Sequence, residues 1–279
     1  MKALFDQISH RTSAMVTRRY STSFSLGIML LDPAIKRPIY DIYGFVRFAD
    51  EIVDTFHGFD KEDLLADFKR QTHAAIDQKI SLNPILNSFQ RTVHEYDIDR
   101  DLIDTFLHSM AMDLQPIKDL TQEEYEKYIL GSAEVVGLMC LKVFCEGQVD
   151  LYQDLQYHAM KLGSAFQKIN FLRDLQADWH ELGRVYFPAV DMSEFNDDTK
   201  REIEEDIEAD FSTGYEGIKR LPKNSRFGVY LAYVYYYRLF QKIKTTQSQA
   251  ILEQRVRIPN YNKYRLIFSS YLKHSFNLL

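Results

Sequence analysis

Two groups of carboxylates stand far apart in the chain, and each sets its acids one helical turn apart. The first is Asp50-Glu51-Ile52-Val53-Asp54. The second is Asn170-Phe171-Leu172-Arg173-Asp174-Leu175-Gln176-Ala177-Asp178. Residues four apart on a helix share a face, so Asp50 stands with Asp54 and Asp174 with Asp178. Two such faces turned toward each other would crowd like charges that only cations hold together. Hard oxygen donors of this kind suit Mg²⁺, which keeps several waters and bridges carboxylates to substrate phosphates. Mn²⁺ is a substitute with the same taste for oxygen. The pattern points to an enzyme that binds a diphosphate through a divalent cation.

The neighbours of these acids sharpen that expectation. At about 100° per residue, Tyr43, Arg47, Asp50 and Asp54 fall within a sector of roughly 40–60°. Ile42, Phe45, Val46, Ala49 and Val53 cover much of the remaining surface. Gln167, Asn170, Asp174 and Asp178 share a sector of roughly 80°, with Phe166, Ile169, Leu172 and Leu175 elsewhere on that helix. Asn170 adds a neutral oxygen ligand beside two carboxylates. The fork of Arg173 lies off the stripe centre but can reach a phosphate. A single acidic pair of this spacing is common on solvated helices. Two narrow acidic stripes on mostly apolar helices, each with an arginine, are not.

The elements that must position these residues read as long helices. Asp32 and Pro33 form a cap-and-Pro start. Pro38 would disturb a helix interior, so the helix carrying the first stripe is expected from Pro38 to about Thr55. Asp60 caps the next helix after a break at 57–60. Thr121-Gln122-Glu123-Glu124 is a capping box, opening a helix that runs through Val135–Phe144 with a kink near Gly131. Further helices are expected over about 151–181, 198–220 and 224–247. Gly183 ends the first of these, and Arg184-Val185-Tyr186-Phe187-Pro188 follows as an extended or turn segment. No segment alternates with a period of two. The expected class is all-α, as one domain over residues 1–279.

Composition agrees and excludes. Only 11 Gly and 7 Pro punctuate 279 residues, and 46% hydrophobic content supports a large core. A net charge of −6 leaves no electrostatic footprint for nucleic acid. Cys140 and Cys145, the only cysteines, form no zinc spacing and read as reduced thiols of a cytoplasmic protein. No continuous apolar run reaches the roughly 18 residues of a membrane span. The nearest, Val135–Phe144, carries Lys142. The acidic run Glu202–Asp210 spreads around its helix and reads as a solvated face. The eight histidines show no ligand spacing, and no nicotinamide fingerprint is present.

At this point the motifs become familiar. Tyr43-Gly44-Phe45-Val46-Arg47-Phe48-Ala49-Asp50 through Asp54 resembles the first aspartate-rich motif of the squalene/phytoene synthase family. Gln167-Lys168-Ile169-Asn170-Phe171-Leu172-Arg173-Asp174 through Asp178 resembles the second, and Gly183 to Pro188 follows it as in bacterial phytoene synthases. Ser21-Thr22-Ser23-Phe24-Ser25 resembles the family's N-terminal segment. Tyr236 and Arg255-Val256-Arg257 resemble its weaker C-terminal features. The likeness runs from about residue 18 to 265.

That resemblance implies a class I isoprenoid synthase bundle around a central cavity, and no nicotinamide cofactor. It implies head-to-head condensation of two prenyl diphosphates with Mg²⁺, through a cyclopropyl diphosphate. Geranylgeranyl diphosphate would give phytoene. Farnesyl diphosphate, giving presqualene diphosphate, dehydrosqualene or squalene, is the alternative. By resemblance, Asp50, Asp54, Asn170, Asp174 and Asp178 face metal. Arg47 and Arg173 hold diphosphate oxygens. Tyr43, Ser21, Phe24, Gln167, Tyr186 and Tyr236 line the substrate region. Release of a hydrocarbon implies transient peripheral contact with a membrane.

Four positions depart from the family pattern: Tyr20, Pro38, Glu134 and Ala177. None is a principal ligand. Glu134, on an apolar helix, is expected either to pair with Lys or Arg or to enter the cavity as a proton acceptor. Two rivals use the same helices differently: a noncatalytic scaffold, and a cyclase acting on one prenyl diphosphate.

Overall fold

Long runs of helix-forming residues, several of them opened by a side-chain cap, give an all-α molecule. The computed structural model describes residues 1–115, 120–180 and 183–257, and no strand occurs among them. The helices are α1 (Lys2–Tyr20), α2 (Thr22–Met29), α3 (Pro33–Thr55), α4 (Lys61–Gln78), α5 (Pro84–Glu95) and α6 (Arg100–Met112). They continue as α7 (Gln122–Ile129), α8 (Val135–Cys145), α9 (Val149–His180), α10 (Asp197–Arg220), α11 (Lys223–Lys244) and α12 (Ser248–Glu253). The expected end of α9 at Glu181, and the expected likeness beyond residue 257, lie outside the described residues.

Helix α3 starts at Pro33, not at the expected Pro38. The Asp32 side chain accepts from the Ala34 N–H, and Pro33 fits the first turn. Pro38 is accommodated and buried inside the helix. Packing by Ile35, Ile39, Ile42 and Phe45 outweighs the backbone bond it forfeits. Phe45 stacks on Phe89 of α5 at 3.9 Å between centroids and meets Phe106 of α6 at 5.4 Å. Each of these buried rings contributes about 2–3 kcal/mol of transfer energy. They fix α3 so that its narrow polar stripe faces the other way.

The Thr121 capping box forms as read, with the hydroxyl taking the Glu124 N–H. The kink expected near Gly131 is a π-helical turn, Leu130–Glu134, joining α7 to α8. Gly131 is required there: a Cβ would sit 2.5 Å from the Ser109 Cβ on α6. Continuous from Gln122 to Cys145, this helix is long and apolar enough to cross a membrane, against the sequence expectation. Here it is a core helix, with Val135, Met139, Leu141 and Val143 buried between α3, α6 and α9.

Helix α9 packs along α8 and α10 and carries the second stripe. Gly183 adopts φ 63°, a left-handed conformation favoured by glycine, and the Arg184 N–H returns to the Asp178 carbonyl at 2.7 Å. That turn swings Arg184 back toward the acidic stripe. The acidic run on α10 is less solvated than expected. Asp210 is buried against Lys161 and Lys168, and Glu204 against Lys200.

Candidate active site

The two acidic stripes meet. A cavity of about 730 Å³ is lined at its polar end by Asp50, Asp54, Asn170 and Asp174, with Arg47, Arg173 and Arg255 among them. Ser21, Phe24, Tyr43, Gln167 and Tyr236 also line it. Asp178 and Tyr186 stand beside it. Asp178 is close enough to Asp54 for their charges to interact, and the Tyr186 ring stacks on Phe171 at 4.1 Å. Along α9 the wall runs from Asp174 back to Leu155, about 28 Å at the helical rise. Between those ends it is mostly apolar, with Ile39, Ile42, Val136, Leu141, Phe144, Ala159 and Leu162; His158 and Ser132 also line it. The rings of Phe24, Phe166 and Tyr236 cluster below the acids, with Phe166 and Tyr236 stacked at 4.2 Å.

Arginines hold the carboxylates. Arg47 bonds Asp50 and reaches Glu51 at 2.6 Å. Arg173 meets Asp174 through Nε at 2.9 Å, and Arg255 Nε lies 2.6 Å from the same carboxylate. Arg184 Nη1 lies 3.5 Å from Asp54, and its Nη2 donates to the Asp113 carbonyl at 2.9 Å. Compensation is still incomplete. Burial, and then the Asp54 charge, push the Asp50 carboxyl up to about 7. Burial and Asp174 push Asp178 up to about 7. Burial lowers the affinity of Arg173 for its proton, but the hydrogen bond and charge of Asp174, with smaller contributions from Tyr236 and Tyr235, together outweigh it and hold the group above its usual range.

Hard oxygen donors with too little positive charge fit a divalent cation. Asn170 Oδ1, buried and without a hydrogen-bond partner, fits it too. No three acidic, histidine or cysteine side chains among the described residues close into a ready ligand cluster. The acids are spread between arginines, a spacing that suits a cation arriving together with a diphosphate. Asp50, Asp54, Asn170, Asp174 and Asp178 are the residues that would hold it.

These pKa shifts have a consequence for stability. The folded chain keeps a proton on Asp50 up to about pH 7, whereas the unfolded chain releases it near 3.8. Between those values the native state binds more protons, so stability falls as pH rises through the window. Without divalent cations, Asp50→Asn is expected to melt higher than wild type near pH 8, with the gap closing as pH falls toward about 4. Thermal melts at several pH values check this. An Asp50→Asn melt below wild type at pH 8 contradicts it.

Comparison with known proteins now decides the family. The squalene/phytoene synthase family model matches residues 17–262. The chain belongs to the squalene/phytoene synthase family. By this membership it is a prenyltransferase of isoprenoid synthesis. A 15-cis-phytoene synthase of Synechocystis is 28% identical over 89% of this chain and 80% of its own length. A presqualene diphosphate synthase of Zymomonas mobilis is 29% identical over 66% of this chain and 62% of its own. A dehydrosqualene synthase structure superposes with a TM-score of 0.80 at 21% identity, covering 96% of this chain and 98% of that one. The fold is therefore that of the family's synthases.

Beside this candidate site, three residues escape sequence reasoning. Asp113, Tyr128 and Arg184 form a buried cluster beside Asp54. The Tyr128 hydroxyl donates to Asp113 at 2.8 Å, and burial pushes Asp113 up to about 7. Asp113 stands just past the end of α6, and nothing in its spacing marks it. Arg255, in the sequence only part of a weak C-terminal resemblance, gains a place through its ion pair with Asp174. Glu134 does not line the cavity. It accepts a bond from Ser164 and lies near Lys161, so the pairing expectation holds in part. Tyr20 lines the cavity, with the Arg47 guanidinium 4.5 Å over its ring.

Proposed function

We propose that the enzyme condenses two molecules of geranylgeranyl diphosphate head to head into phytoene, with Mg²⁺ bound among the acidic residues. The observation that carries this reading is the meeting of two acidic stripes, interleaved with arginines, at the polar end of a long apolar cavity. When bound, Mg²⁺ neutralises the charge that grows on a leaving diphosphate.

The chain's own residues supply the rest. Arg47, Arg173, Arg184 and Arg255 exchange their carboxylates for diphosphate oxygens and orient the head groups. Departure of one diphosphate leaves an allylic cation, which the double bond of the second substrate attacks. Proton loss closes a cyclopropane that retains one diphosphate. A second ionisation, rearrangement and proton loss give the hydrocarbon. Phe24, Phe166 and Tyr236 present ring faces to these cations. The apolar walls exclude water, which would trap a cation as an alcohol.

Geranylgeranyl diphosphate is favoured by the depth of the cavity and by the phytoene synthase relative spanning most of the chain. Farnesyl diphosphate is the second reading, favoured by relatives named presqualene diphosphate synthase and 4,4'-diapophytoene synthase. Incubation with each diphosphate and Mg²⁺, followed by identification of extracted lipids, separates the two. Turnover of the C15 substrate alone overturns the C20 assignment. No Mg²⁺-dependent diphosphate release from wild type, as from Asp50→Ala, returns the scaffold reading. A product with one prenyl unit returns the cyclase.

Ala159 tests where the tail lies. It lines the wall about 22 Å along α9 from Asp174. Ala159→Phe is expected to lower C20 turnover by about 10²-fold relative to C15 turnover, because the longer tail meets the new ring. Equal loss on both substrates, with the fold intact, places the tail elsewhere.

A further inference from the structure

Helix α1 packs inward mainly through polar side chains, with Ala14 and Val16 partly buried against the core. All five of its buried residues are polar: Asp6, Ser9, His10, Ser13 and Thr17. They dock α1 onto α3 and α5 through side-chain bonds. His10 pairs with Asp41, Asn87 donates to Asp6 and Ser9, Arg91 bonds Asp6, and Ser13 bonds Ser88. The opposite face exposes apolar side chains among arginines. Leu4, Ile8 and Met15 are 54%, 48% and 57% exposed. At about 100° per residue, these three share a sector of about 100° with Arg11, Arg18 and Arg19. Those arginines are exposed, and the sector contains no acid. Arg11 and Arg19 have no acidic partner among the described residues, and Arg18 lies 5.2 Å over the Tyr40 ring. A helix on the surface of a water-soluble protein normally has the reverse polarity.

We propose that this face of α1 is where the protein rests on an anionic lipid bilayer. Apolar side chains flanked by arginines are the composition of a helix lying in a membrane interface. A chain of net charge −6 is otherwise repelled by anionic lipid, so the acid-free cationic strip is the local exception that lets it approach. A second copy of the chain is a poorer occupant. A two-fold interface would set this arginine strip against itself. Position also fits: α1 ends at Tyr20, and Tyr20 and Ser21 line the cavity. The lipid face and the substrate chamber thus share one rigid element. The use of this contact, passing an apolar product to lipid, rests on the proposed reaction; the binding itself does not.

Sedimentation with vesicles tests it without catalysis. Wild type is expected to pellet with phosphatidylcholine vesicles containing roughly 30% phosphatidylglycerol, to stay in solution with pure phosphatidylcholine, and to be released by high salt. Ile8→Gln/Met15→Gln and Arg11→Glu/Arg19→Glu are each expected to lower the bound fraction by about tenfold. Their helical circular dichroism and their turnover of detergent-dispersed prenyl diphosphate should match wild type. Wild type that ignores anionic vesicles, or variants that bind like wild type, overturn the proposal. A wild-type dimer in light scattering that these variants dissociate assigns the face to a second copy and overturns it equally. Absent turnover with intact vesicle binding removes only the proposed reaction.

Discussion

Asp174→Asn is expected to lower kcat/KM by at least about 10³-fold while the fold survives. Asp174 is where the charges of the second stripe converge. Its carboxylate takes Arg173 and Arg255 together, sits in the cavity wall, and repels Asp178. Asparagine keeps the size and one oxygen but no charge. Three things are lost at once: an anionic ligand for the cation, the partner that preorganises two arginines, and the alternation of charge that receives a diphosphate. The change is small for the fold, because the side chain is only partly buried and both arginines reach water. Steady-state kinetics with saturating Mg²⁺, alongside a thermal melt, checks both halves. A rate within tenfold of wild type, with an unaltered melt, would remove Asp174 from the reaction. Gross unfolding would make its role structural.

That expectation was readable before any coordinates, and the reason is physical. Residues four apart on a helix must share a face, so one sequence was enough to place Asp50 with Asp54 and Asp174 with Asp178. That the faces meet is a tertiary fact, yet the apolar residues around each stripe already left few other ways to bury those helices. The start of α3 was misplaced because Pro38 was given its average cost, whereas local packing accommodated it. The span Gln122–Cys145 was undercounted because Lys142 broke the apolar run; in the structure Lys142 reaches Asp99 at 3.0 Å, at the edge of the bundle. Helix α1 was unreadable in a different way. Its buried face is polar, so no apolar stripe marks the side that packs. Asp113, just past the end of α6, and Tyr128, on α7, gain meaning only once the fold joins them and Arg184 turns back onto the Asp113 carbonyl.

Arg184 is a cation that three buried acids of the site share. Among Asp50, Asp113 and Asp178, each pushed up to about 7, burial comes first, carboxylate neighbours add to it, and Arg184 is a cation that opposes it in all three. It does so through geometry set by Gly183. The turn after α9 brings Nη1 to Asp54 and to the Tyr186 hydroxyl, while Nη2 is tied to the Asp113 carbonyl. Arg184→Met keeps the length and the apolar stem but removes the charge. The acids then release their protons at higher pH, since ionising one beside the others has lost its compensation. Turnover is expected to fall by about 10²-fold near neutral pH. The alkaline side of the profile should recover part of the loss, because the carboxylates ionise there. The acidic limb of kcat/KM should therefore move to higher pH than in wild type, the direction opposite to that of a variant that merely loses a phosphate contact evenly at all pH values. Arg184→Lys, which restores a charge but not the fork, should recover the position of the limb more fully than the rate. A profile that keeps its shape and only drops in height would make Arg184 a diphosphate ligand and nothing more. A profile that shifts would show that this arginine sets the proton occupancy of the acids before any substrate arrives.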